Sequence, residues 1–338
     1  MSRDQHDNRL LLGAVGAAAL ILMTMITAIF LVSRRPVVVV TGSSNVETLP
    51  AVVAGEAPSG SGDLSQSPAN QPPPTLSVSR VDRVPAVADP LDPTWDKIAA
   101  VEVPLAAQQV AQPALEQGTV PMLTVQAIRD NERYAWRLSW DKPQPADMVD
   151  YAKFTDAVAI QFPLVDGAPY TMGGPNLPVR MLYWKAVWQK DVDEGFQELQ
   201  KIYPNSHYDM YWFSEGSERH SNIGSTDNPE AQQFMVASMS KNPMADYNRK
   251  KPIEELTAHG FGSSTHVPDT PSGGRGVWKE GKWYVVLDRP INGSDPLIAR
   301  FNAAPEQQLV AFAVWDGDHG NRGSKKQISN WIPVQLPK

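Results

Sequence analysis

The chain of 338 residues contains no cysteine. That absence excludes a disulfide, a thiolate zinc site, a cysteine-held iron–sulfur cluster and a covalently attached c-type haem. Any redox group would have to be held by histidine, methionine, lysine, tyrosine or carboxylate. The compartment stays open, because an exported protein needs no cysteine. An excess of basic charge is also missing. Lys and Arg number 30 against 37 Asp and Glu, a net charge of −7, and no basic stripe is present to follow a nucleic acid. The signatures of freestanding catalysts are missing as well. None of the histidines (His6, His207, His220, His259, His266 and His319) stands in an H-x-x-x-H or H-E-x-x-H pair. No P-loop, G-x-S-x-G elbow or strand-following G-x-G-x-x-G occurs. The paired acids Glu254-Glu255 and Asp191/Asp193/Glu194 read as solvated helix faces and N-terminal charges, not as hydrolytic carboxylates.

Long apolar runs are limited to Leu10–Val32. These 23 uncharged residues make a helix of about 34 Å, slightly more than the bilayer core. The run exceeds a signal-peptide core and is followed by Ser33-Arg34-Arg35-Pro36 instead of a small-residue cleavage site, so it reads as an uncleaved anchor. Arg3 and Arg9 before it balance Arg34 and Arg35 after it, which leaves the orientation undetermined by charge. The organisation expected is a flank (1–9), a transmembrane anchor (10–32), a linker (33–93) and a folded domain (94–338). The linker is rich in Pro, Ser and Gly, contains Pro72-Pro73-Pro74 and has no aromatic residue. Such a stretch buries too little apolar surface to offset its ordering entropy, and is expected to be a disordered tether reaching on the order of 40–45 Å.

From Trp95 onward the pattern is mainly β. Short strands are expected at Met122–Ile128, Tyr134–Trp140, Ala157–Phe162, Val179–Trp188, Trp283–Leu287, Leu309–Trp315 and Ile328–Leu336, separated by turn signals such as Asp166-Gly167 and Asp316-Gly317. Helices are expected over Asp191–Tyr203, from the spacing of Val192, Phe196, Leu199 and Ile202, and over Pro252–Ala258. The polar Ser214–Asp246 reads as an excursion. The fold class these imply is an antiparallel β-sandwich with a few helices, with all ten tryptophans in this domain.

Several ordered fragments of the domain carry a resemblance. Trp95-Asp96 precedes Val101-Glu-Val-Pro-Leu105; Leu138-Ser-Trp-Asp141 and Phe154-Thr-Asp-Ala-Val-Ala-Ile-Gln-Phe-Pro163 follow. Next come Met172-Gly-Gly-Pro175 with Val179-Arg-Met-Leu-Tyr-Trp-Lys-Ala186, then Pro252–Gly262, Gly276–Val286 and the closing Leu309–Leu336. In this order they resemble the haem b (gamma) subunit of periplasmic molybdenum enzymes of the dimethyl sulfoxide reductase superfamily, ethylbenzene dehydrogenase being the best-known relative.

The resemblance implies a β-sandwich holding one non-covalent haem b per chain, with axial methionine and lysine. Carried over, the methionine is Met172 and the lysine, in Lys326-Gln-Ile-Ser-Asn-Trp331, is Lys326. Lys325 remains the alternative lysine, and His207 or His319 could replace it. A thioether is a soft donor that favours ferrous iron, and a lysine ligates only as the neutral amine. The resemblance further implies an electron-transfer subunit that is not itself catalytic. Its partners would be a molybdopterin catalytic subunit, an iron–sulfur subunit, and a soluble cytochrome c or quinone-linked redox partner. The domain would stand on the extracytoplasmic (periplasmic) side of a membrane entered through Leu10–Val32; such an anchor departs from the soluble relatives. A metal-free reading is a tethered sandwich that binds carbohydrate or another small ligand.

Overall fold

The segment Ala157-Val-Ala-Ile-Gln-Phe-Pro163 is buried on both faces along its whole length, so something must cover each side of the sheet it belongs to. The computed structural model describes residues 73–85, 89–197, 199–205, 242–243, 246, 249–291, 295–297 and 308–337. Among them the strands in chain order are β1 (Leu76–Arg80), β2 (Val101–Pro104), β3 (Ala106–Ala107), β4 (Met122–Arg129), β5 (Arg133–Asp141), β6 (Ala157–Pro163) and β7 (Val179–Lys185). They continue as β8 (Ile253–Ala258), β9 (Thr265–His266), β10 (Gly273–Lys279), β11 (Lys282–Pro290), β12 (Gln308–Trp315), β13 (Gln327–Ile328) and β14 (Ile332–Gln335). Helices α1 (Ala186–Glu194) and α2 (Leu199–Ile202) follow β7.

The spatial order is β10-β11-β5-β4-β1-β14-β12-β6-β7-β8-β9. The two halves of this curled sheet pack face to face. Val158, Ile160 and Phe162 of β6 point inward with Leu182 and Trp184 of β7 and Val310, Phe312 and Val314 of β12. They meet Trp136, Leu138 and Trp140 of β5 and Trp283, Val285 and Leu287 of β11. Rings interlock across the interface, Trp136 with Phe162 at 5.2 Å and Trp184 with Trp283 at 5.0 Å between centroids. Gly276 of β10 makes room for this, since a Cβ there would overlap the Trp184 ring. A buried ionic cluster ties the far end together. Glu255 of β8 accepts from Arg180 of β7 (2.8 Å), from Arg289 of β11 (3.3 Å) and from Ser272 (2.6 Å).

The mainly β class expected from the sequence is present, with corrections. The sheet is mixed rather than antiparallel throughout: β1 runs parallel to both β14 and β4, and so joins the two halves. Its residues fall inside the stretch read as linker, yet Leu76 and Val78 are buried on alternate positions, a two-residue period that a five-residue strand needs no aromatic to satisfy. Pro252–Ala258, expected to be a helix, contains strand β8, because a full antiparallel ladder with β7 and the buried Arg180–Glu255 pair outweigh the helix preference of Glu-Glu-Leu. The strand expected over Val179–Trp188 ends at Lys185, where α1 begins. Gly195, with φ of 80°, separates α1 from α2 within the single helix expected over Asp191–Tyr203. The last expected strand is interrupted between Ile328 and Ile332, where the chain leaves one neighbour set for another. No helix of the described residues is long and apolar enough to cross a membrane; Leu10–Val32, the linker through residue 72, His207 and nearly all of Ser214–Asp246 lie outside the described residues.

Candidate haem-binding site

Strand alternation gives β6, β7, β8 and β12 a second, outward face. On it stand Ala159 and Gln161, then Met181, Tyr183 and Lys185, then Glu254 and Leu256, then Ala311, Ala313 and Trp315. All of them line one cavity of about 600 Å³, within the about 300–1,000 Å³ typical of pockets that enclose small molecules and cofactors. The register explains the hollow. Ile328, Ala313, Ala159, Tyr183 and Glu254 are successive cross-strand partners. The two central strands therefore carry alanines where β-branched or aromatic side chains would fill the space, and larger groups stand on either side. Loops close the remaining walls through Val110 to Gln112, Tyr170 to Met172, Phe261, Gly262 and Ser264, and Gly323, Ser324 and Lys326.

Met172 enters from the turn that joins β6 to β7. Its backbone is left-handed, φ 71°, and Gly173 follows at 74°. Only glycine fits the second position, because a Cβ would lie 2.5 Å from the Leu177 carbonyl. Pro175-Asn176 then completes a tight turn, with Asn176 at φ 61° and reciprocal hydrogen bonds between Gly174 and Leu177. The turn is fixed from outside as well. Gly173 N–H donates to Pro169 O at 2.9 Å, Gly260 N–H donates to Met172 O at 2.9 Å, and Gln161 Nε2 donates to Tyr170 O at 2.9 Å. Trp331 Nε1 donates to Ala168 O at 2.9 Å, linking this turn to the chain just past Lys326.

Lys326 enters from the opposite loop, immediately before β13. Buried polar contacts hold that loop at both ends. Lys142 Nζ lies 2.7 Å from Asp316, 2.6 Å from Asp318 and 3.4 Å from Asp156, and the Asp156 carboxylate accepts from Gly317 N–H at 2.9 Å. At the other end, the Gln327 side chain accepts from Thr119 N–H (3.0 Å) and donates to Val314 O (2.9 Å) and Asn321 Oδ1 (2.8 Å). Gln108 N–H donates to Lys326 O at 3.0 Å. The backbone of Lys326 is thus held on both sides, and only its side chain reaches into the cavity.

The two side chains meet there. Lys326 Nζ lies 3.5 Å from Met172 Sδ and 5.0 Å from the centroid of the Trp315 ring. Among the described residues no carboxylate pairs with it. Burial pushes its pKa down to about 8, so the neutral amine that ligation requires is accessible near neutral pH. By surface area Lys326 is half-buried, because the amine faces the hollow while protein surrounds it on the other sides. Lys325 does not line the cavity; its N–H closes a turn onto Arg322 O at 2.9 Å. His319 does not line it either, and its Nδ1 lies 2.7 Å from Asp316 with the ring 61% exposed. No cluster of three His, Asp or Glu side chains that could cage a bare ion occurs among the described residues.

This donor set suits an iron whose equatorial positions are already filled. One thioether and one amine converge, without the oxygen or imidazole ligands that a lone divalent ion gathers. A mostly apolar hollow lies beside them. Tyr183, the alanine floor and Phe261 were not singled out in the sequence. The available signal was the small outward residues on two adjacent strands, Ala159 on β6 with Ala311 and Ala313 on β12.

Residues 92–327 match the family model described as ethylbenzene dehydrogenase. The chain belongs to this family. The match bears out the resemblance to the haem-binding gamma subunits and spans every residue of the site from Gln108 to Lys326. Among curated proteins, the chain is 26% identical over 274 residues to a candidate respiratory nitrate reductase heme subunit, ORF7, of Haloferax mediterranei, covering 79% of this chain and 74% of that one. Among solved structures, it is similar to a family 9 carbohydrate-binding module from Caldicellulosiruptor kristjanssonii in complex with glucose. That similarity has a TM-score of 0.34 at 7% identity, over 78% of this chain and 95% of the module.

Proposed function

We propose that this member of the ethylbenzene dehydrogenase family is a haem b electron-transfer subunit, with Met172 and Lys326 as the axial ligands of one non-covalent haem. The observation that carries the reading is the 3.5 Å approach of Met172 Sδ and Lys326 Nζ over a floor of alanines. Haem b supplies a one-electron ferric/ferrous couple when bound. The residues determine its setting. Met172 offers a soft sulfur that favours the ferrous state and so raises the potential. Lys326 offers an amine that no carboxylate of the described residues pairs with, and that burial presses toward its neutral form. Trp315 and Tyr183, with ring centroids 5.0 Å apart, keep that side of the cavity apolar. With haem filling the hollow, the amine is shielded from water, which would favour its protonated form.

In this reading the chain catalyses no substrate chemistry. It relays electrons between a molybdenum- and iron–sulfur-containing oxidoreductase complex and an external cytochrome c or quinone-linked partner. Leu10–Val32 anchors it, and residues 94–338 stand on the extracytoplasmic side. The kinship with a named nitrate reductase heme subunit supports a respiratory complex as its setting. The test is to add haem to the purified full-length chain and record its spectrum. One haem per chain, low-spin in both oxidation states, is expected, and Met172→Ala and Lys326→Ala are each expected to shift the spectrum. A wild-type chain that takes up no haem, or variants with unaltered spectra, would refute the assignment.

A further inference from the structure

Among the large apolar side chains that stand exposed in the described residues, Phe261 at 59% and Val110 at 48% are the two that line the cavity. Exposed apolar groups gathered at the rim of a hollow are placed where an apolar ligand would cover them. The two belong to different loops, and each loop is tied to the backbone of one residue of the axial pair. Gln108 N–H, two residues before Val110, donates to Lys326 O at 3.0 Å. Gly260 N–H, next to Phe261, donates to Met172 O at 2.9 Å.

The loops differ in how firmly they hold these side chains. Around Val110 the Gln108 side chain makes a knot. Its Nε2 donates to Ala111 O and to Ser324 O, each at 2.9 Å, and its Oε1 accepts from Ala111 N–H. Val110 is therefore a fixed rim. Phe261 instead stands between Gly260 at φ 125° and Gly262 at φ 85°. A Cβ at either glycine would meet nothing within 4 Å, so the backbone conformation, not lack of room, calls for glycine here. Below the tip the loop is fastened. Ser263 Oγ accepts from His259 N–H at 2.8 Å and donates to Gly260 O at 2.6 Å. The ring thus sits on a glycine-flanked tip, with open space around it and an anchored root, at the mouth of the cavity. Resting on the haem reading, we infer that Phe261 is a lid: its ring closes over the edge of the bound haem, against the fixed rim at Val110. The contact exists only with haem in place, so it slows haem release without supporting the haem-free fold. Lid and sulfur ligand share one support, the bond from Gly260 to the Met172 carbonyl.

The experiment loads the full-length chain with haem in detergent, adds excess apomyoglobin, and follows the transfer by absorbance, which reads the rate of release. Phe261→Ala is expected to release haem about ten- to a hundredfold faster than the wild type, the range that covering one apolar ring supplies. The axial-ligand spectrum and the rate of uptake are expected to stay as they are. Phe261→Leu is expected to restore most of the retention, and Val110→Ala to speed release to a smaller extent. In thermal melts Phe261→Ala is expected to match the wild type without haem and to fall below it when loaded, a split that a merely structural role would not produce. Release from Phe261→Ala at the wild-type rate overturns the inference, and is the outcome if the ring serves a partner protein's surface instead. An equal loss of stability with and without haem overturns it as well. A wild type that takes up no haem defeats the haem reading too, a result distinct from haem held without any dependence on Phe261.

Discussion

Replacing Lys326 with methionine is expected to make the haem-free protein more stable while weakening its hold on haem. In the folded chain the amine's pKa falls from the ordinary 10.5 to about 8, through burial alone. At about 1.4 kcal/mol per pKa unit, holding the charged form at pH 7 costs on the order of 3 kcal/mol. Two effects reduce that figure. The amine faces a hollow that water can enter, and its charge gains about 0.5–1 kcal/mol over the Trp315 ring. Methionine matches the length and volume without the charge, so a net gain of about 1–2 kcal/mol remains. The direction with pH follows from the depressed folded value. Between about 8 and 10.5 the unfolded chain binds more protons at this position than the folded one, so wild-type stability climbs with pH across that window and carries the full penalty below it. Lys326→Met lacks the climb. Urea unfolding of both haem-free proteins at pH 7 and pH 10 checks this: the variant is expected to lead at pH 7 and the difference to shrink at pH 10. A variant less stable at pH 7, or a difference that ignores pH, would refute the argument that this lysine is held at a cost to the fold.

Other perturbations test the surrounding walls. Ala159→Leu fills the hollow at the centre of the floor; haem uptake in a spectroscopic titration is expected to fail while the melting temperature stays within a few degrees, since the added methylenes enter empty space. Gly173→Ala places a Cβ 2.5 Å from the Leu177 carbonyl at a φ of 74°; it is expected to cost about 1–3 kcal/mol by urea denaturation and to weaken haem binding by displacing Met172. Glu255→Leu strands Arg180 and Arg289 in the core with less carboxylate to face; a loss of about 3–5 kcal/mol is expected in the same assay, with the haem spectrum of the surviving folded fraction unchanged.

Much of the β framework was legible because its central strands are almost wholly buried and read as nearly continuous apolar runs, broken only by Gln161 in Ala157–Pro163 and absent only at the leading Gln308 of Gln308–Trp315. Elements stabilised by tertiary pairing were not. Leu76–Arg80 shows only two buried apolar side chains within a Pro- and Ser-rich stretch, and its order comes from the parallel ladders on either side. Ile253–Ala258 contains good helix formers and becomes a strand because β7 pairs with it and Glu255 finds Arg180 inside. The site divides in the same way. Met172 and Lys326 were named through the family resemblance; neither a methionine before two glycines nor a lysine at a strand entry announces itself. The floor was only faintly legible: the small residues Ala159, Ala311 and Ala313 were there to see, but their meaning lies in what stands opposite them across the ladder. Lys185 reads as an ordinary strand-end cation until its position over Tyr183 and Trp188 is known.

The most direct measurement is iron X-ray absorption on the haem-loaded full-length chain, compared with the Met172→Ala and Lys326→Ala variants. The account predicts a single sulfur scatterer bound to iron in the wild type, lost in Met172→Ala and kept in Lys326→Ala. An iron with only nitrogen neighbours in the wild type, or a sulfur signal that survives Met172→Ala, would contradict it.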